Sequence, residues 1–106
     1  MSKKPKPEET TYELIDNEAE RRYEFHIGEH KPRIEYIKVA GKIYLTHTEV
    51  PPALEGQGIG SAIIKAALEE VERNDWTLIP LCPFVAAYLK RHPEWRRLVL
   101  KGINIE

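Results

Sequence analysis

Glycines recur at every second position in Gly56-Gln57-Gly58-Ile59-Gly60, and Ser61 follows at the start of an amphipathic stretch. A turn of this kind that runs into a helix N-terminus suits a phosphate-bearing ligand. Early helix amides have no intrahelical partner, and the helix dipole adds partial positive charge there. Glycine also leaves no Cβ between the backbone and a bulky pyrophosphate. Two reactive side chains flank the turn in sequence, His47 ahead of it and Cys82 beyond it. An imidazole exchanges protons near neutral pH, and the dipole at a strand-to-helix junction favours a thiolate. Each also has a plain reading, as a hydrogen-bonded core histidine and as a space-filling buried thiol.

The elements that must hold these residues follow from periodicity. Residues 21–27 alternate, with Tyr23, Phe25 and Ile27 on one side and Arg22, Glu24 and His26 on the other. That is a half-buried strand. A second strand spans 33–39, Ala40-Gly41 is a tight-turn signal, and a third strand spans 42–50. On this third strand His47 and Glu49 share a face with Ile43 and Leu45. Val50-Pro51-Pro52 closes the strand, and a helix runs over 59–73. Its Ile63, Ile64, Ala67, Leu68 and Val71 fall on one broad face. Asn74-Asp75 ends it, and 76–81 reads as a short buried strand parallel to the third. Pro83 fits the first turn of a second helix, which His92-Pro93 stops. The order β-β-β-α-β-α makes a mixed-sheet α/β layer. Met1 to Thr11 has almost nothing to bury and reads as a disordered arm, so residues 12–106 are expected to form one domain.

Composition narrows the function classes. Sixteen basic residues against 17 acidic ones give a net charge of −1, so global charge does not favour nucleic acid or an anionic membrane. No apolar run approaches the roughly 20 residues of a membrane span, and no signal peptide is evident. Cys82 is the only cysteine, which excludes an internal disulfide and suits the cytoplasm. The glycine spacing is G-x-G-x-G after an antiparallel meander, unlike the G-x-G-x-x-G of a dinucleotide fold. No Gly-Lys-Ser/Thr follows, which excludes a nucleoside-triphosphate loop. His26 and His30 have no ligand spacing that would suggest a metal site.

Glu55-Gly56-Gln57-Gly58-Ile59-Gly60-Ser61 resembles the acyl-CoA pyrophosphate loop of the GNAT acetyltransferase superfamily, written Gln/Arg-x-x-Gly-x-Gly/Ala. Gly58 and Gly60 take the two glycine positions, and Glu55 departs from the Gln/Arg position. A carboxylate beside a pyrophosphate is unfavourable unless it turns away or is paired. His47-Thr48-Glu49-Val50-Pro51 and Pro80-Leu81-Cys82-Pro83 are similar to the His-Thr-x-Val-Pro and Pro-x-Cys segments of the minimal GNAT-like family of about 100 residues. The resemblance covers about Tyr23 to Leu98. It implies a reduced GNAT-like acyl-CoA N-acyltransferase fold in which two splayed parallel strands hold the pantetheine arm of acetyl-CoA. The implied cofactor contacts are Val50, Leu54, Glu55, Gly56, Gln57, Gly58, Ile59, Gly60, Ser61 and Cys82.

Acetyl transfer from a thioester to an amine needs an anchored donor, oxyanion stabilisation and a proton route. The resemblance favours Cys82 and His47 at the reaction centre, and Glu49, two residues on and on the face expected for His47, completes the catalytic set. His47 would take the amine proton or activate Cys82, Glu49 would orient His47 or act as base, and Cys82 would carry acetyl or neighbour the CoA sulfur. Tyr88 is a half-buried helix tyrosine on its spacing, and His92 is explained by a helix C-terminus. Lys90, Arg91, Arg96 and Arg97 form a basic patch whose default is a solvated face, with the 3′-phosphate of CoA as the alternative. The implied function is an acetyl-CoA-dependent N-acetyltransferase, acting as a monomer on an exposed amine such as a protein lysine or a polyamine. The alternative is a non-catalytic CoA-binding module.

Overall fold

The structure, a computed structural model, describes residues 12–105, so the arm expected over Met1 to Thr11 lies outside the described residues. Four antiparallel strands come first: β1 (Ile15–Asn17), β2 (Arg22–Glu24), β3 (Arg33–Val39) and β4 (Lys42–Glu49). Helix α1 (Ile59–Arg73) then crosses to β5 (Thr77–Pro80), which pairs parallel to β4 and is followed by α2 (Pro83–Arg91). A parallel partner requires such a crossover, and α1 supplies it. The strands lie in the order β1-β2-β3-β4-β5. This is the mixed α/β sheet expected, with one strand more at its start. Ile15–Asn17 is too short to show alternation, and its pairing with β2 defines it.

Local chemistry accounts for most boundaries. Ala40 and Gly41 both have positive φ, 51° and 82°, as a two-residue primed hairpin turn requires. Asn74 closes α1 by donating its side-chain amide to the Glu70 carbonyl at 2.8 Å. Pro83 occupies the first turn of α2, and His92 ends that helix with its amide on the Tyr88 carbonyl. Both helices feed one core. Ile63, Leu68 and Val71 of α1 and Val85 and Leu89 of α2 join Tyr23, Ile34, Ile43 and Leu45 of the sheet. Each such side chain contributes roughly 1.5–3 kcal/mol on burial. The ladder of β2 is shorter than the expected 21–27, although Phe25 still donates its amide to Pro32 and Ile27 pairs with His30.

One irregularity reorganises the end of β4. Glu35 lies opposite His47 while Tyr36 lies opposite Leu45, which leaves Thr46 as an extra residue on β4. Its hydroxyl donates to the Glu35 carbonyl at 3.2 Å. A β-bulge of one residue inverts the side-chain alternation beyond it. Ile43, Leu45 and Thr48 are therefore buried, while His47 and Glu49 point outward and are exposed. The expectation that His47 and Glu49 share a face with Ile43 and Leu45 is corrected by this bulge.

Pairing between β4 and β5 stops at Leu45 and Pro80. The amides of Leu81 and Cys82 both donate to the Leu45 carbonyl, at 3.1 and 2.9 Å, and the chain then turns into α2. Strand β4 continues through Glu49 without a β5 partner, so the two parallel strands part at this end.

Candidate functional site

The parted strands open a cleft of about 590 Å³. Thr48, Glu49 and Val50 form one wall, the glycine turn and the first turn of α1 another, and Phe84, Ala87 and Arg91 of α2 a third. A short 3₁₀ turn, Pro52–Leu54, carries the chain from β4 into the glycines and presents Leu54 to the cleft. Of the expected cofactor contacts, Val50, Leu54, Glu55, Gly56, Gly58, Ile59, Gly60 and Ser61 line it. Gln57 and Cys82 do not. The Gln57 amide instead leans back on the Ala53 carbonyl, 3.4 Å away.

The start of α1 has the electrostatics of an anion site. Its first backbone bond is donated by Ala62 to the Gly58 carbonyl, so the amides of Ile59, Gly60 and Ser61 have no intrahelical acceptor. No side chain caps them, and no acidic residue stands in the first turn. Gly58, the N-cap residue, has φ 75°, and Gly56 has φ 80°; this left-handed region favours glycine at both positions. Gly60 is different. A Cβ there would meet Val50 at 3.7 Å, an ordinary contact, so the protein's own packing does not require glycine. Its missing side chain leaves room on the cleft side instead. These features fit the pyrophosphate of an acyl-CoA.

Outside the sheet, His47 Nε2 lies 2.9 Å from Glu49 Oε1, and both side chains are about half exposed. Arg33 approaches Glu49 at 3.8 Å and Glu35 at 2.8 Å. The hydrogen bond from His47, with the nearby Arg33 charge, holds the Glu49 carboxyl below its usual range. Glu49 also borders the cleft, so the pair reaches its mouth through Glu49, and His47 itself is not among the residues that line it.

Cys82 is at the N-cap of α2 and is 1% exposed. Its Sγ is 3.2 Å from the Thr48 hydroxyl, with either atom able to donate. His47 and Cys82 are therefore not brought together; the bulge sends one outward and leaves the other in the core. Tyr88 is buried against the His92 ring at a centroid distance of 4.2 Å, and burial pushes its phenol up. It does not line the cleft. Among the described residues no group of three or more His, Cys, Asp or Glu side chains is placed to hold a metal ion. Thr48, Ile64, Phe84 and Ala87 are cleft residues that the sequence reading missed as ligand contacts, and they are joined by Arg91, which it offered only within a basic patch. The i, i+3, i+7 spacing of the last three was the available signal, since it aligns them on one helix face.

A glycine turn over an uncapped helix start, beside parted parallel strands of a mixed sheet, is the architecture of a reduced GNAT-like fold. A family model described as GCN5-related N-acetyl-transferase matches residues 22–98, and the chain belongs to this family. Curated relatives agree. Protein NATD1 of Mus musculus is 32% identical over 84 residues, which cover 74% of this chain and 76% of that protein. Protein NATD1 of Homo sapiens is 35% identical over 78 residues, 69% of each chain.

Proposed function

We propose that this chain is an acetyl-CoA-dependent N-acetyltransferase that passes the acetyl group directly to an exposed amine. The observation that carries the reading is the arrangement around the end of β4. Ile59, Gly60 and Ser61, whose amides are uncapped, line the cleft, and Glu49, which also lines it, is hydrogen-bonded to His47. The amides of the first turn of α1 would hold the pyrophosphate, with Val50 and Leu54 against the pantetheine arm. When bound, acetyl-CoA supplies an acetyl group as a thioester, which is activated toward amines.

The chain's own residues then manage the proton. An imidazole is the better proton acceptor near neutral pH, and the ionised Glu49 carboxylate orients it and stabilises its charged form. Cys82 enters as a wall residue rather than a carrier. It is 1% exposed, paired with Thr48, and not among the residues lining the cleft, which supports direct transfer over an acetyl-cysteine route. His47 and Glu49 are exposed on the outward face of the sheet, where Ile37 and Val39 are also exposed. An exposed acceptor, a protein lysine or a polyamine, fits such an exposed pair.

Turnover of acetyl-CoA with a panel of lysine peptides and polyamines, beside calorimetric binding of CoA, tests the proposal. Binding with amine-dependent turnover that falls in His47→Ala is expected. Binding with no turnover on any amine would leave only a CoA-binding module.

A further inference from the structure

Charge balance in the cleft singles out one more residue. Two of its charged wall residues are carboxylates, Glu49 and Glu55, and the third is Arg91. Glu55 is exposed beside the glycine turn and has no side-chain hydrogen bond or ion pair among the described residues, so its charge opposes any anion held there. Uncapped amides offer partial positive charge only, which is a modest counterweight to a full carboxylate. A multiply charged phosphate ligand in this cleft therefore needs a cation, and Arg91 is the one the cleft offers.

Arg91 is also available for that role. Four other arginines are paired with carboxylates, Arg22 with Glu24, Arg33 with Glu35, Arg73 with Glu70 and Arg97 with Glu72, while Arg21 and Arg96, which have no such pair among the described residues, do not line the cleft. Arg91 has no carboxylate partner among the described residues, and its guanidinium lies loosely over the Tyr88 ring, 6.0 Å from the centroid. It ends the α2 stripe of Phe84 and Ala87 that faces the cleft. An arginine placed this way offers a planar, permanently charged fork that matches phosphate oxygens.

We propose that Arg91 is a specificity-determining residue that binds a phosphate group of CoA and offsets Glu55. This rests on the acetyl-CoA reading above. The test is calorimetric titration of the full chain, wild type, Arg91→Gln and Arg91→Lys, with CoA, dephospho-CoA and pantetheine. Arg91→Gln should weaken CoA about tenfold while leaving pantetheine unchanged, with Arg91→Lys between the two. A loss confined to CoA assigns the contact to the 3′-phosphate, and an equal loss with dephospho-CoA assigns it to the pyrophosphate; both support the proposal. Unchanged CoA binding in Arg91→Gln, or equal weakening of pantetheine, overturns it. Wild-type protein that binds none of the three overturns the acetyl-CoA reading itself, and does so before any variant is compared.

Discussion

Glu24 and Glu49 show how one residue type takes two roles from two environments. Glu24 is 2% exposed on β2 and is held by His26, Arg22 and Asn17 at 2.6, 2.7 and 3.3 Å. Burial alone would raise its carboxyl, but those three hydrogen bonds prevail and bring it down to about 2. A carboxyl lowered in the folded state stabilises the fold above its unfolded value, and that stability is lost as pH falls through the folded value. The window runs from about pH 4.5 down to about pH 2, and the contribution at neutral pH is about 3 kcal/mol. Urea denaturation across that range should show the loss, and Glu24→Gln should flatten the profile there. An unchanged slope in the variant would show that Glu24 is not the linked group. Glu49 is exposed by contrast, and in the proposed reaction it orients His47. His47→Ala should lower kcat by about a hundredfold with little change in CoA affinity, because general-base catalysis contributes on that order. Steady-state kinetics beside calorimetry checks the split. Glu24 looked like an outward strand residue in the sequence, since a charged side chain gives no sign of being buried among partners.

At the scale of elements, the bulge at Thr46 decides which side of β4 does what. The run Ile43-x-Leu45-x-His47 reads straight through as one face, and nothing in residue type marks Thr46 as the extra position. The glycine turn, both helices and the parallel pair were legible, because punctuation by Gly, Pro and Asn and apolar spacing carry them. The parity of His47 was not legible, because a bulge depends on cross-strand register. Deleting Thr46 should remove the bulge and place His47 directly after Leu45, so that unbroken alternation keeps His47 and Glu49 outward and Thr48 inward. Circular dichroism melts and CoA titration should then show a folded protein that still binds; a large loss of stability and no binding would contradict the reading of Thr46 as the extra residue. The glycine turn gives a milder test. Gly58→Ala forces a side chain into left-handed backbone at the cap and should cost about 1 kcal/mol, with weaker CoA binding.

On the scale of the whole molecule, one sheet separates two tasks. Its helix side holds the core and the cleft, and its outward side carries His47 and Glu49, both exposed. The parted ends of β4 and β5 connect the sides. Buried Cys82 fits this division, so wild-type protein incubated with acetyl-CoA should keep its intact mass, and Cys82→Ala should still turn over. A stable gain of one acetyl group, absent in Cys82→Ala, would restore the covalent route. A crystal structure with acetyl-CoA bound measures the central claim most directly. The pyrophosphate is expected on the amides of Ile59, Gly60 and Ser61, with the thioester at the parted strands beside Glu49. A pyrophosphate away from the glycine turn, or a thioester pointing away from the His47–Glu49 mouth, would contradict it.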